Sequence, residues 1–252
     1  MNRRLFVAAD PLVDTKTGVA YGSEYLLRRL VEHAGADVEI DLGYFDFRGT
    51  RGTPPADLGH ARPQHRVPSA AYLKALPYGL APPIEVLWRR RYDATLSTNY
   101  YLMPAAARRT HEAVIIHDLG YLLHPEYLRP GRGGVAGRVL PSGPDFLRRV
   151  VPRAARRADT IVTWTATVRS EMAEHLGIEP ELVVVAPIFP DHHFEPDTDA
   201  VPPERFGLNK PFVLCQATIE PRKNHGLLVE AFARLPDHVR RDHSLALAGG
   251  VG

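Results

Sequence analysis

The sequence has little of several features that mark particular classes of protein. Cys215 is the single cysteine among 252 residues, which excludes an internal disulfide framework and fits a reducing, cytoplasmic setting. No apolar run approaches the length of a membrane span. The apolar run at residues 5–9 is too short for a secretion signal and is followed by Asp10. The formal net charge of +2 is too small to indicate nucleic acid as a partner.

Three catalytic patterns are also missing from the chain. The absence of Gly-x-Gly-x-x-Gly disfavours an NAD-dependent dehydrogenase, and the absence of Gly-x-Ser-x-Gly disfavours a serine hydrolase. His192 and His193 with Asp191 form a candidate metal cluster, but adjacent histidines point in different directions and no third ligand group is evident. We therefore expect no metal and no cofactor.

The chain instead alternates short apolar runs with helical patterns, which predicts an α/β fold with a doubly wound parallel sheet. The proline- and glycine-rich stretch at residues 49–68 predicts an irregular connection. Thr165 is a plausible N-cap and Gly177 a plausible C-terminal stop for one helix. The strands predicted in the first part of the chain cover residues 5–9, 38–40, 94–97, 113–116, 160–164 and 182–185.

Composition also predicts a division into domains. We expect an N-terminal domain at residues 1–189, a linker rich in proline and aspartate at residues 190–210, and a second domain at residues 211–252. The last segment provides two strands and one helix, and a unit of that size seldom folds alone. We therefore expect that the second domain is incomplete.

Residues 212–224 predict a strand-to-helix crossing with two cations. Val213, Leu214 and Cys215 form a short apolar run typical of a strand that is buried on both faces. Arg222 and Lys223 follow its carboxyl end, where open α/β sheets bind ligands. A guanidinium and an ammonium beside a helix N-terminus suit a diphosphate, although a solvated basic turn is the alternative.

Pro221-Arg222-Lys223-Asn224 resembles the signature of the family 4 glycosyltransferases, which are retaining enzymes of the GT-B fold. The resemblance implies two Rossmann-like domains, an N-terminal one on the acceptor side and a second one that binds the nucleotide sugar. It implies that Arg222 and Lys223 stabilise the leaving diphosphate. The family also has a pair of glutamates in its second domain, beyond the position of Gly252, which this sequence does not contain.

Other segments match the family at strand ends. His117 follows the apolar run at residues 113–116, and the resemblance implies that it faces the donor sugar, with Asp118 in a capping or supporting role. The turn with Thr17 and Gly18 is expected to direct backbone N–H groups toward phosphate. Thr218 and Glu220 are further candidate substrate-binding residues.

The function implied by the resemblance is transfer of a mannose- or rhamnose-like hexose in polysaccharide biosynthesis. The expected partners are a nucleotide-diphosphate sugar and a glycan or lipid-linked acceptor. The alternative is a non-catalytic nucleotide-sugar-binding module or an inactive fragment. Five arginines on one face of a predicted helix at residues 145–159 indicate a solvated surface or a contact with anionic lipid at the inner face of the cell membrane.

Overall fold

A computed structural model describes residues 3–9, 12, 18–44, 62–66, 83–100, 105–127, 144–188 and 201–250. The chain divides into two compact units. The first unit comprises Met1–Leu123 and Pro130–Asp191, and the second comprises His124–Arg129 and His192–Gly252. The boundaries expected from composition stay a prediction, because residues 190–200 of the proposed linker lie outside the described residues.

The first unit contains a seven-stranded sheet in the order β3-β2-β1-β4-β5-β6-β7, with each neighbouring pair parallel. Such a sheet needs a crossover between successive strands, and helices provide several of them. Its strands are β1 (Arg3–Ala8), β2 (Val38–Tyr44), β3 (Arg62–Arg66), β4 (Ala94–Ser97), β5 (His111–Ile115), β6 (Thr160–Thr163) and β7 (Val183–Val185). Its helices are α1 (Gly18–His33), α2 (Ile84–Trp88), α3 (Gly120–Leu123), α4 (Pro144–Arg157) and α5 (Ala166–Leu176).

The core of the first unit lies on both faces of the central strands. Val7, Leu96 and Ile115 belong to one buried cluster, into which Leu27 of α1 packs. Helix α4 buries Val151, Ala154 and Ala155 and leaves its arginines exposed, as its period predicts. Because both faces are covered, the strands read as nearly continuous apolar runs.

The predicted ends of α5 are confirmed. The Thr165 side chain accepts a hydrogen bond from the Val168 N–H at 3.2 Å. Gly177 ends the helix in the left-handed region at φ 65°, a conformation that glycine adopts without the steric penalty of a Cβ atom.

The prediction of an irregular connection at residues 49–68 is wrong in one part. Arg62–Arg66 forms β3, the edge strand that pairs with β2. Proline lacks an N–H donor, but an edge strand needs donors on only one side, and Pro63 is therefore tolerated there.

Two carboxylates of the first unit that are buried or nearly buried are paired with arginines. Asp41 is buried, and its carboxylate accepts a hydrogen bond from the Tyr92 hydroxyl at 2.8 Å and lies 3.1 Å from the Arg90 guanidinium. Glu112 binds the Arg157 guanidinium through both carboxylate oxygens. Arg157 of the arginine-rich helix therefore anchors α4 to β5, and its charge is not directed to solvent alone.

The second unit contains β8 (Phe212–Gln216), α6 (His225–Ala233), α7 (Asp237–Asp242) and β9 (Ser244–Ala248). Strands β8 and β9 pair in parallel from Phe212 with Ser244 to Gln216 with Ala248. Here the prediction that β8 is buried on both faces is wrong. Val213 and Leu214 expose 46% and 55% of their surface, because the described residues of this unit provide one neighbouring strand and two helices to cover them.

Among the described helices, none combines the length and apolar character that crossing a bilayer requires.

Candidate functional site

His117 lies just beyond the carboxyl end of β5, as its place after an apolar run predicts. Its Nδ1 atom is 2.8 Å from the Trp164 Nε1 atom, and its Nε2 atom is 3.0 Å from the Thr98 carbonyl oxygen. Trp164 follows β6 and Thr98 follows β4, the two strands on either side of β5. The imidazole therefore links the ends of three adjacent strands.

These two contacts define the tautomer of His117. An indole nitrogen only donates, so Nδ1 accepts, and Nε2 must bear the proton that it donates to the Thr98 carbonyl. Burial lowers the pKa of His117 below its usual value, while the hydrogen bond to Thr98 and the Asp118 carboxylate act in the opposite direction. The ring is therefore neutral, with both nitrogens bound to the chain.

Aromatic rings surround this imidazole. The centroid of the Trp164 ring lies 5.5 Å from that of His117, and the Tyr100 ring meets it edge-on at 6.3 Å. Tyr100 also lies 6.4 Å from Tyr121 of α3. Burial and the Asp118 carboxylate raise the pKa of the Tyr121 hydroxyl, which consequently remains protonated.

The other predicted residues of the first unit have simpler environments. Asp118 is exposed, and its Oδ1 atom accepts a hydrogen bond from the Gly120 N–H at 2.9 Å, as a capping role requires. Gly18 is the exposed first residue of α1, and a Cβ atom there would meet nothing within 4 Å. Thr17 lies outside the described residues.

The carboxyl ends of β4 and β6 also bear buried polar side chains. Ser97 and Thr163 are completely buried and Asn99 is nearly so. Their Oγ, Oγ1 and Oδ1 atoms have no hydrogen-bond partner in the part of the chain that the structure describes. This edge of the sheet therefore offers hydroxyl and amide groups of the kind that bind polar ligands.

In the second unit, the predicted residues follow the carboxyl end of β8. Arg222 forms an ion pair with Glu220 at 2.8 Å, so its charge is partly neutralised within the turn. Lys223 is exposed and has no charged partner among the described residues. Thr218 lies in a segment fixed to the end of β9, where the Ile219 N–H donates to the Gly250 carbonyl at 2.8 Å.

Asn224 is a residue of this turn whose role the sequence analysis missed. It adopts left-handed dihedrals, φ 51° and ψ 41°, and its side chain accepts a hydrogen bond from the Leu227 N–H at the beginning of α6. Asparagine tolerates this conformation better than most residues and is a good N-cap. Asn224 thus turns the chain from Lys223 into the helix.

Gly249 supports the same turn from β9. A Cβ atom at Gly249 would lie 2.0 Å from the Ala217 carbonyl oxygen, a backbone atom. No other residue fits without moving the backbone, so this glycine allows the ends of β8 and β9 to approach closely.

Trp164 and Gly22 were likewise missed in the first unit. A Cβ atom at Gly22 of α1 would lie 3.4 Å from Trp164 Cζ2 and 2.9 Å from Ile188 Cδ1. The missing side chain at Gly22 therefore makes room for the indole. The available sequence signal was a tryptophan among threonines at a strand end, which indicates a ring with a polar partner.

Within the described part of the chain, no group of three or more histidine, cysteine, aspartate or glutamate side chains is placed to hold a metal ion. The absence of a metal requirement stays a prediction.

No protein-family model matches the chain. The chain is 33% identical over 121 residues to the GDP-mannose-dependent alpha-(1-6)-phosphatidylinositol monomannoside mannosyltransferase of Mycolicibacterium smegmatis. The matched region is 46% of this chain and 30% of that protein. The match therefore covers a minor part of the relative.

The structure is similar to that of WaaG, a glycosyltransferase involved in lipopolysaccharide biosynthesis, with a TM-score of 0.56 and 17% sequence identity. The similarity covers 97% of this chain and 62% of WaaG, so the chain spans less than two thirds of that protein. The predicted α/β fold of GT-B type, with a Rossmann-like parallel sheet, is confirmed. That the second domain is incomplete stays a prediction.

Proposed function

We propose that this chain is part of a family 4 glycosyltransferase that transfers a hexose from a nucleotide-diphosphate sugar to a glycan or lipid-linked acceptor, with retention at the anomeric carbon. The GT-B fold and the similarity to a mannosyltransferase support the proposal. So does the presence of the predicted cations after a strand end.

The observation on which the proposal mainly rests is the position of Lys223. It is exposed in the turn between β8 and α6, and the described residues provide no carboxylate to neutralise it. In glycosyl transfer, negative charge grows on the departing diphosphate as the bond to the sugar breaks. A fixed ammonium group stabilises that charge more in the transition state than in the ground state. Arg222, held by Glu220, adds a second cation in the same turn.

The roles proposed for the first unit are positional. His117 orients the donor sugar, and Gly18 at the beginning of α1 directs backbone N–H groups toward phosphate. The acceptor hydroxyl attacks the anomeric carbon on the face from which the diphosphate leaves. The bond between the sugar and the diphosphate breaks, and the hydroxyl proton passes to the departing diphosphate oxygen. In this proposal neither a protein nucleophile nor a metal is required.

The relative in Mycolicibacterium smegmatis is GDP-mannose-dependent and acts on a phosphatidylinositol monomannoside. We therefore favour mannose over rhamnose, GDP as the nucleotide and a lipid-linked acceptor. A cytoplasmic protein at the inner face of the membrane fits such an acceptor. Exposed arginines of α4, among them Arg148, Arg149 and Arg156, are the proposed contact with anionic lipid.

A second candidate function is nucleotide-sugar binding without catalysis. The half exposure of Val213 and Leu214 favours it, because a sparsely packed sheet positions the cations of the following turn less firmly than catalysis requires. Slow release of GDP from GDP-mannose without acceptor distinguishes the two. Catalysis predicts that release, whereas binding alone does not.

The decisive experiment is calorimetric titration of the chain with GDP and with GDP-mannose. Lys223→Ala should weaken GDP binding about 10- to 100-fold, the usual effect of losing a charge-assisted hydrogen bond. Arg241→Ala is the matched control, because it removes one positive charge from an exposed position of α7 in the same unit. Equal affinities of Lys223→Ala and the unmodified chain would remove Lys223 from the site.

A further inference from the structure

His117, Trp164 and Thr98 form a chain of hydrogen bonds across the ends of β5, β6 and β4. We propose that Trp164 is a positioning residue that locks His117 as its neutral Nε2–H tautomer. Resting on the proposed function, this assigns His117 the task of orienting the donor sugar through the face and carbon edge of its ring rather than by exchanging a proton.

Both ring nitrogens of His117 are engaged by neighbouring groups of the chain. The single lone pair of neutral His117 points at the Trp164 N–H, and its single N–H points at the Thr98 carbonyl. A sugar hydroxyl or a phosphate oxygen can bind a ring nitrogen only if one of these bonds is broken. The ring carbons take no part in either hydrogen bond, and the residue is partly exposed.

Trp164 is itself held in place by its neighbours. Its indole ring lies beside Gly22 of α1, where any side chain would meet Cζ2 and the Ile188 side chain. The indole is thus confined between α1, the segment after β7 and His117. A confined donor holds its acceptor with less loss of conformational entropy than a mobile one does.

A positive charge on His117 would disrupt its hydrogen bond to Trp164. Protonation of His117 would place a proton on Nδ1, directly opposite the Trp164 N–H, so two donors would face each other. Asp118 is the charged group that acts on the ring, and its carboxylate is engaged by the Gly120 N–H. The neighbouring phenols belong to Tyr100 and Tyr121. This geometry and burial both favour the neutral ring.

The test is the tautomer of His117 in the full chain, read from long-range proton–nitrogen NMR spectra of a sample with ¹⁵N-labelled histidine. His117→Gln identifies the signal by its loss. We expect Nδ1 to show the shift of a hydrogen-bonded lone-pair nitrogen and Nε2 that of a protonated one. A ring protonated on Nδ1, or one that exchanges between tautomers, would overturn the proposal. If His117→Gln does not fold, sequential backbone assignment of the unmodified chain identifies the His117 ring instead.

Trp164→Phe then tests the lock, because it removes the N–H group and keeps an aromatic ring. We expect His117 to populate both tautomers in this variant. We also expect the pKa of His117 to rise, because no N–H group then opposes a proton on Nδ1. His111 begins β5, about 20 Å from His117 at the rise of an extended strand, and serves as the reference whose signals should not change. An unchanged His117 spectrum in Trp164→Phe would overturn the role of Trp164.

Turnover separates this proposal from the proposed function. If the chain hydrolyses GDP-mannose, Trp164→Phe should lower the rate constant about 2- to 10-fold, as expected for one neutral hydrogen bond, and leave GDP affinity unchanged. A locked tautomer in a chain that neither binds nor hydrolyses GDP-mannose would uphold the lock and refute the function. Hydrolysis of GDP-mannose by a chain whose His117 exchanges between tautomers would support the function and refute the lock.

Discussion

The two units contain the same kind of apolar strand but bury it to very different extents. Val114 and Ile115 in the seven-stranded sheet are completely buried, whereas Val213 and Leu214 in the two-stranded sheet are about half exposed. Both runs are short and apolar. What differs is the number of neighbouring strands and helices, so burial is a property of the assembled sheet and not of the run.

Charged groups differ between the units in the same way. Asp41 and Glu112 of the first unit are buried or nearly buried and bind arginines. The ion pairs of the second unit, between Arg222 and Glu220 and between Arg240 and Asp237, are largely exposed. Exposed pairs contribute little to stability, so the second unit depends on fewer strong interactions than the first.

The sharpest test of this comparison is a pair of strand substitutions. Ile115→Ala should lower the free energy of unfolding of the first unit by about 2–5 kcal/mol, because it opens a cavity in a packed core. Leu214→Ala should cost about 1 kcal/mol or less, since that side chain is already half exposed. Urea unfolding followed by circular dichroism measures both. Equal losses would show that β8 is covered in solution.

A second pair compares glycines near the N-termini of two helices. Gly22→Val should destabilise the chain by about 1–3 kcal/mol, because the new side chain must displace Trp164 or Ile188. Gly226→Val of α6 should change stability by no more than about 0.5 kcal/mol, since nothing lies within 4 Å of that site. Thermal unfolding measures both, and similar midpoints would argue against close packing of α1 on the indole.

The same contrast between the two units explains which features can be predicted from the sequence. Local signals predict the strands of the first unit, and the cap at Thr165 and the stop at Gly177 are confirmed because each acts within one turn of α5. The strand at Arg62–Arg66 was missed, since its pairing with β2 and not its composition makes it extended. The exposure of Val213 likewise depends on neighbours that no local pattern specifies.

The candidate site was predictable to a similar degree. A histidine after an apolar run is visible in the sequence, and so are the cations of the turn after β8. The partners of His117 are not visible, because Thr98 and Trp164 are brought to it only by the strand order β4-β5-β6. The assignment of His117, Arg222 and Lys223 to catalysis stays a prediction.

A third prediction concerns pH and separates the buried histidine of the first unit from the rest of the chain. The pKa of His117 is lowered on folding, so the unfolded chain binds its proton first as the pH falls below about 6.5. Stability attributable to His117 is thus fully present above that pH and is lost on acidification. Its contribution to the slope is at most about 1.4 kcal/mol per pH unit.

The measurement is urea unfolding between pH 8 and pH 5, compared with His117→Gln, whose amide can still donate to the Thr98 carbonyl. Subtracting the free energy of unfolding of the variant from that of the unmodified chain at each pH removes the contribution of the other histidines. We expect the unmodified chain to lose stability more steeply on acidification than the variant. Parallel curves would mean that burial does not disfavour the charged imidazole.

The smallest expected effect compares the exposed arginines of the two units at a membrane surface. Arg148→Gln on α4 should weaken binding to vesicles of phosphatidylcholine and phosphatidylglycerol about fivefold, because each arginine near an anionic surface contributes about 1 kcal/mol. Arg241→Gln on α7 removes the same charge from the second unit and should have less effect. Sedimentation of the chain with vesicles at low and moderate salt measures both. A specific docking face must depend on where the charge lies. Equal losses of vesicle affinity in the two variants would therefore indicate attraction by net charge alone, and the arginine face of α4 would be an ordinary solvated surface.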